Sequence, residues 1–236
     1  MLQQIFNNIS GKEKTEAVKN LFEHSTPSSD FFLMVILSVL MATLGFLVNS
    51  SAVIVGSMLI APILYPILGL AMGIIMSDFS LASKSFITLT KALILGVVVA
   101  AGATLLFSSQ FGEFTEEILA RTKPSLLYAV IGIVAGFAAA FAMVKPKLNE
   151  TLPGVAISVA IVPPLAVVGI GLARLSMSVV LSSLLLFIIN AIGVIFAAAI
   201  VFSFMNFYVK RETAKEIIKK EEEKIEKVEK DGHMKK

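Results

Sequence analysis

SSAVIVGSMLIAPILYPILGLAMGIIM, residues Ser50 to Met76, is long and apolar enough to cross a bilayer, yet Pro62 and Pro66 stand near its middle and Gly56, Gly69 and Gly73 surround them. A proline inside a helix deletes one backbone hydrogen bond and clashes with the carbonyl four residues earlier. Hydrocarbon offers no water to repair that loss, so a broken helix persists only where protein buries it or where it lines a cavity. Each flank of about 11 residues, at about 1.5 Å per residue, reaches near half a membrane thickness. The stretch therefore predicts a discontinuous helix with its break inside the bilayer.

The whole chain agrees with that setting. Of its 236 residues 56% are hydrophobic and only 16% charged, with mean hydropathy +0.87, whereas soluble domains carry about 25% charged residues. The class is an all-α integral membrane protein. With no cysteine, a disulfide framework, a thiolate nucleophile and a Cys-ligated metal are all excluded. The N-terminus lacks a signal-peptide pattern, so the first span is expected to direct insertion.

Three regions follow from the hydropathy. Residues 1–29 form an amphipathic cytoplasmic or interfacial segment. Leu2, Ile5, Phe6 and Ile9 lie on one helical face, and Ala17, Val18, Leu21 and Phe22 on another; this face rests either on the membrane surface or on a neighbouring helix. Thr26-Pro27-Ser28-Ser29-Asp30 supplies a stop and an N-cap. Residues 30–208 form a membrane domain of six spans, predicted at Phe31–Val48, Ser50–Met76 (broken), Phe86–Phe107, Pro124–Val144, Leu152–Ala173 (broken by Pro163 and Pro164) and Met177–Tyr208. Asp78–Lys84 is expected as a polar loop, and Gln110–Lys123 as an external one. Residues 209–236 are a charged helix former touching anionic headgroups, or a weak coiled coil. With the N-terminus inside, Lys12, Lys14, Lys19, Lys84, Lys145, Lys147 and the tail are cytoplasmic, and only Arg121, Lys123 and Arg174 are outside. The excess of basic residues on the cytoplasmic side places both termini in the cytoplasm of a cell-membrane protein.

The two broken segments match each other. Ser57-Met58-Leu59-Ile60-Ala61-Pro62-Ile63-Leu64 and Ser158-Val159-Ala160-Ile161-Val162-Pro163-Pro164-Leu165 both read S-x-x-I-x-P-x-L, and an asparagine (Asn49, Asn149) precedes each segment. Each occupies the second span of a three-span half, residues 30–108 and 124–208. Three is odd, so the halves enter the membrane from opposite sides and form inverted repeats. Paired interrupted helices at equivalent places are the strongest sequence pointer to a transport site; a purely structural kink is the competing reading.

These residues also resemble a family. The runs G-S-M-L-I-A-P and L-P-G-V-A-I-S-V-A-I-V-P-P look like the hydrophobic bacterial and archaeal proteins grouped as domain of unknown function 389, a resemblance covering about residues 30–205. It implies the fold and the membrane location. Some members carry an extra soluble N-terminal domain, for which the short N-terminal segment leaves no room.

Candidate site residues are those near the two breaks. Ser57, Tyr65, Ser158 and Asn190 are the polar side chains, and Pro62, Pro66, Pro163 and Pro164 release carbonyls. Hydroxyls and free carbonyls suit Na⁺ or K⁺, while half-helix N-termini suit an anion. Against this, Ser57 and Ser158 could be small residues at helix contacts, and Asn190 an interhelical hydrogen-bonding residue. Gly69/Gly73, Gly132/Gly136 and Gly193/Ala197 read as close-packing pairs. Lys91, the one charge inside a span, is near enough to the cytoplasmic end to snorkel. His24 and His233 lie in the polar termini, so no catalytic residue, metal centre or cofactor is expected, and no nucleic-acid signature is present.

The sequence thus predicts a small transporter or channel-like permease for a small solute or ion. It would sit in membrane lipid as a homo-oligomer, dimer or trimer. A non-transporting scaffold, lipid-binding element or partner subunit is the alternative, and an intramembrane enzyme the remote third.

Overall fold

In hydrocarbon, a backbone satisfies its own amides most simply as a helix, and every regular element among the described residues is helical. The computed structural model describes residues 10–25, 28–107, 113–145, 148, 161–205 and 207. Among them no strand occurs, and the helices in chain order are α1 (Gly11–Ser25), α2 (Ser29–Leu47), α3 (Ser51–Ile60), α4 (Leu64–Met76), α5 (Phe79–Phe107), α6 (Glu116–Ala120), α7 (Leu126–Val144), α8 (Val162–Ala173) and α9 (Met177–Phe204). Four of these, α2, α5, α7 and α9, are long and apolar enough to cross a membrane, and α3 with α4 makes a fifth, broken crossing bent by 52°. The chain is a helical membrane protein. The apolar residues before Ser10, the first half of the fifth predicted span with Asn149 and Ser158, and the charged tail lie outside the described residues.

The predicted spans need three adjustments. Helix α5 begins at Phe79 rather than Phe86, because Asp78 caps it, its Oδ1 accepting from the Leu81 N–H at 3.0 Å. The expected polar loop Asp78–Lys84 is therefore mostly helix. Helix α7 starts at Leu126, so Pro124 precedes the helix instead of opening it. The external loop holds a helical turn of its own, α6, capped by Thr115. The Ser28 N-cap is as predicted, its Oγ accepting from the Phe31 N–H at 3.1 Å.

Three corners of the bundle are built alike. Asn49 (φ 53°), Ser77 (φ 50°) and Leu175 (φ 55°) end α2, α4 and α8 in the left-handed conformation. The residue after each returns its N–H to a glycine carbonyl, Ser50 to Gly45, Asp78 to Gly73 and Ser176 to Gly171, all at 2.9 Å. This is the Schellman closure, which satisfies the last carbonyls of a helix. Each glycine also lets the next helix fold back closely: a Cβ on Gly73 would stand 2.6 Å from the Ala82 nitrogen.

Helix α1 carries a reciprocal cap, with the Glu13 N–H on Ser10 Oγ (3.2 Å) and the Ser10 N–H on Glu13 Oε2 (2.6 Å), the S-x-x-E capping box. Its face of Ala17, Val18, Leu21 and Phe22 is buried against α4, α5 and α7. Of the two readings open for this segment, packing on neighbouring helices is the one found. Helices α7 and α9 run side by side in the same direction, with Gly132 against the Asn190 backbone and Gly136 against Val194, so small residues draw two backbones together. Helix α8 lies parallel to α5, with Leu165 on Gly96 and Gly169 on Ala100.

The ends of the helices sort into two groups. At one end Lys84 stands over Phe22 (4.6 Å) and Lys14 over Phe207 (5.7 Å), joining α1 to the start of α5 and the end of α9. At the other, Thr115 Oγ1 donates to the Phe46 carbonyl (2.9 Å), Glu117 holds the Asn49 and Ser51 side chains, and Arg174 stacks on Phe114 (3.9 Å). Helix α2 thus leads from the α1 end to the α6 end, α3 and α4 return in two pieces, and α9 runs from the α6 end to the α1 end.

Candidate functional site

The break between α3 and α4 releases backbone groups from the helical ladder. At Ala61 the chain turns extended (φ −73°, ψ 120°) and the i→i−4 ladder of α3 stops. Pro62 has no N–H to offer the Met58 carbonyl. A tight turn follows, the Tyr65 N–H donating to the Pro62 carbonyl at 3.3 Å. Pro66 is the third residue of α4, where an N–H has no intrahelical partner to lose. Pro66 therefore starts a helix rather than kinking one.

Side-chain hydroxyls bond to carbonyls on both sides of the break. The Ser38 hydroxyl of α2 donates to the Ser57 carbonyl at 2.7 Å, and both residues are fully buried. The Ser57 hydroxyl turns back on its own helix, donating to the Ile54 carbonyl at 2.6 Å. On the α4 side, Ser25 Oγ donates to the Tyr65 carbonyl (3.2 Å) and the Tyr65 ring stacks on His24, with ring centres 4.6 Å apart. The C-terminal turn of α1 is thus lodged against the break.

In the second broken segment Pro164 holds the position that Pro66 has in α4, the third residue of its helix. Pro163 and Pro164 fall in the first turn of α8, and both are buried. Leu64 and Val162 begin their helices 98 residues apart. The same interval separates Pro66 from Pro164, Gly73 from Gly171, Ser77 from Leu175, and Phe79 from Met177. Helix α4, its corner and α5 thus correspond to α8, its corner and α9, three residues closer than the S-x-x-I-x-P-x-L match, whose offset is 101. Ser85 and Ser183, both buried, occupy matching places on α5 and α9. On each of these two helices a hydroxyl at or near that place donates to the end of a preceding helix: Thr88 Oγ1 to the Ser25 carbonyl (2.8 Å), and Ser183 Oγ to the Arg121 carbonyl (3.1 Å).

Ser57, Pro62, Tyr65 and Pro66 thus sit together at the α3–α4 break. Pro163 and Pro164 open α8, which packs among α2, α3, α5 and α9. Asn190 is buried on α9, its backbone against Gly132 of α7. Ser158 lies outside the described residues. Ser38, Ser25, Ser85 and Thr88 were not predicted for the site. Ser38 was visible as a hydroxyl in an otherwise apolar span, and Ser85 was hidden in what read as the end of a loop. Among the described residues no group of His, Asp and Glu could hold a metal ion.

The family described as Domain of unknown function (DUF389) matches over residues 58–196, from within α3 to within α9. An uncharacterized protein of Methanocaldococcus jannaschii is 33% identical over 178 residues, which is 75% of this chain and 54% of that protein. The chain spans about half the length of this curated relative. No solved structure matches it.

Proposed function

The chain belongs to the DUF389 family, and on that premise we propose that it is a non-enzymatic permease for a small solute or ion, built from two inverted three-span halves. Their broken second spans, α3–α4 and the segment ending in α8, would meet at a central site containing Ser57, Pro62, Tyr65, Pro66, Ser158, Pro163, Pro164 and Asn190. The observation that carries this reading is the 98-residue correspondence of α4–α5 with α8–α9, Pro66 with Pro164 included. Its companion is direction: α5 leads away from the α1 end, whereas its counterpart α9 leads towards it. Repeats of that kind with interrupted helices are a transporter architecture. The lysines gathered at the α1 end support a cytoplasmic position for both termini. Six spans enclose little volume, so a dimer or trimer in the cell membrane is the working form.

A second reading, a non-transporting scaffold, draws on the Ser57 hydroxyl, which is buried and bonded within its own helix. The two are separated by flux. Protein reconstituted in liposomes is loaded with a panel of labelled monovalent ions, amino acids and sugars. The permease reading expects flux of one class that Ser57→Leu with Ser158→Leu abolishes while the oligomer still elutes intact. Unchanged flux in the double variant removes the serines from the pathway, and absence of flux across the panel favours the scaffold.

A further inference from the structure

Where α1 ends against α4 and α5, oxygen atoms collect beside Tyr65 of the break. Ser25, Ser85 and Thr88 are 1%, 0% and 0% exposed. The Thr88 hydroxyl gives its proton to the Ser25 carbonyl (2.8 Å), and the Ser25 hydroxyl gives its own to the Tyr65 carbonyl (3.2 Å). Ser85 Oγ is buried with no hydrogen-bond partner among the described residues. Such orphaned hydroxyls are rare because leaving one unmade is costly. Gly69 admits them: a Cβ there would lie 2.5 Å from both Ser25 Oγ and Ser85 Oγ, so the two oxygens sit in the one notch its missing side chain leaves and stand no further apart than twice that distance.

The chemistry of the notch is one-sided. Two of its hydroxyls have spent their protons on carbonyls, and their lone pairs remain. Ser85 Oγ, bonded to none of the described residues, has both lone pairs to offer. The 15-residue helix α1 ends here, and its C-terminus carries partial negative charge. Each of these features attracts a cation and repels an anion. Hard oxygen donors select hard ions. With carbonyls and hydroxyls and no carboxylate in the set, the charge they can offset is single. Lys84 neighbours Ser85 along α5, but its ammonium is engaged over the Phe22 ring.

We infer that Ser25, Tyr65, Ser85 and Thr88 form a binding site for a dehydrated alkali cation, Na⁺ or K⁺, closed by the end of α1. Under the permease reading, this names the ion that pins α1 to the break; binding itself does not require that the protein transports anything. An ion held there ties α1, α4 and α5 together through their own oxygens.

The test is made on the full-length protein in detergent. Its thermal stability is measured in NaCl and in KCl against choline chloride at equal ionic strength, alongside equilibrium binding of radioactive sodium or rubidium. The inference expects Na⁺ or K⁺ to raise the melting temperature above that in choline. Ser85→Ala and Ser25→Ala should each weaken the apparent affinity about tenfold or more, the effect of losing one good ligand. Thr90→Ala, whose hydroxyl bonds only to the Phe86 carbonyl on the exposed side of α5, should keep the full response. Three results would overturn the site: no cation-specific stabilisation, an undiminished shift in Ser85→Ala, or a Ser85→Ala protein equally or more stable in every salt, as a trapped water would give. Flux does not enter the assay, so the cation site and the permease reading can fail separately.

Discussion

The Ser38 hydroxyl of α2 donates to the Ser57 carbonyl of α3 at 2.7 Å, inside the apolar bundle. The carbonyl is one that the break at Ala61 leaves without its helical partner. The interruption of a membrane helix is thereby stabilised from the neighbouring span. Ser38→Ala should destabilise the protein by about 1–3 kcal/mol, the cost of a buried acceptor left unmade, seen as a lower unfolding temperature in detergent. Ser57→Ala removes only a hydroxyl bonded within its own turn and should cost clearly less. Equal losses in the two variants would mean that Ser38 does not serve the break.

The seam between α7 and α9 gives a sharper contrast. A Cβ on Gly136 would stand 2.6 Å from Val194 Cα and 2.7 Å from its carbonyl oxygen, and backbone cannot rotate aside as a side chain does. Gly136→Ala should cost at least about 1–3 kcal/mol by overpacking. Gly102→Ala on α5 meets nothing within 4 Å and should be neutral or gain up to about 1 kcal/mol of helix propensity. Thermal melts of the two variants side by side decide the point.

Leu175 holds φ 55° at the corner between α8 and α9 and is 88% exposed. A left-handed residue other than glycine is strained by about 1–2 kcal/mol, while glycine costs more entropy on folding. Leu175→Gly should therefore raise stability by a few tenths to about 1 kcal/mol. A fall in melting temperature would contradict the strain argument.

Acid should loosen α1 before the rest of the bundle. The Ser10 backbone N–H and hydroxyl, with Lys145 nearby, hold the Glu13 carboxyl below its ordinary value of 4.5. The sign follows from linkage: a carboxyl lowered on folding contributes stability present above its unfolded value and lost as pH falls through the folded one. Hydrogen exchange in the first turn of α1 should accelerate below about pH 4.5, and Glu13→Gln should remove that dependence. A pH-independent first turn in the native protein would count against the cap.

Much of this architecture is readable without coordinates. The prolines at 62 and 66 mark the broken crossing because hydrocarbon forbids an unrepaired break, and the Gly132/Gly136 pair marks a close seam because spacing by four puts two notches on one face. The Ser28 cap and the basic cluster at the α1 end are likewise local signals. Other features depend on contacts distant in sequence. That Ser38 serves Ser57, or that Ser25 and Ser85 share a notch at Gly69, requires knowing which helices touch. The true start of α5 was missed although its signal was present, since Asp78 is a capping residue placed just before an apolar helix. The offset of 101 read from the S-x-x-I-x-P-x-L match differs from the 98-residue spacing of the helices, because isoleucine and leucine match cheaply in so apolar a chain, whereas the glycine-closed corners after α4 and α8 recur at 98.

The three glycine-closed corners also bear on how the protein is made. Each joins two helices through bonds formed entirely within six consecutive residues, so α2–α3, α4–α5 and α8–α9 can each fold into a hairpin without waiting for any later segment. A chain emerging from a ribosome can therefore pass into the bilayer two segments at a time, with each pair's turn already shut before its neighbours are synthesised.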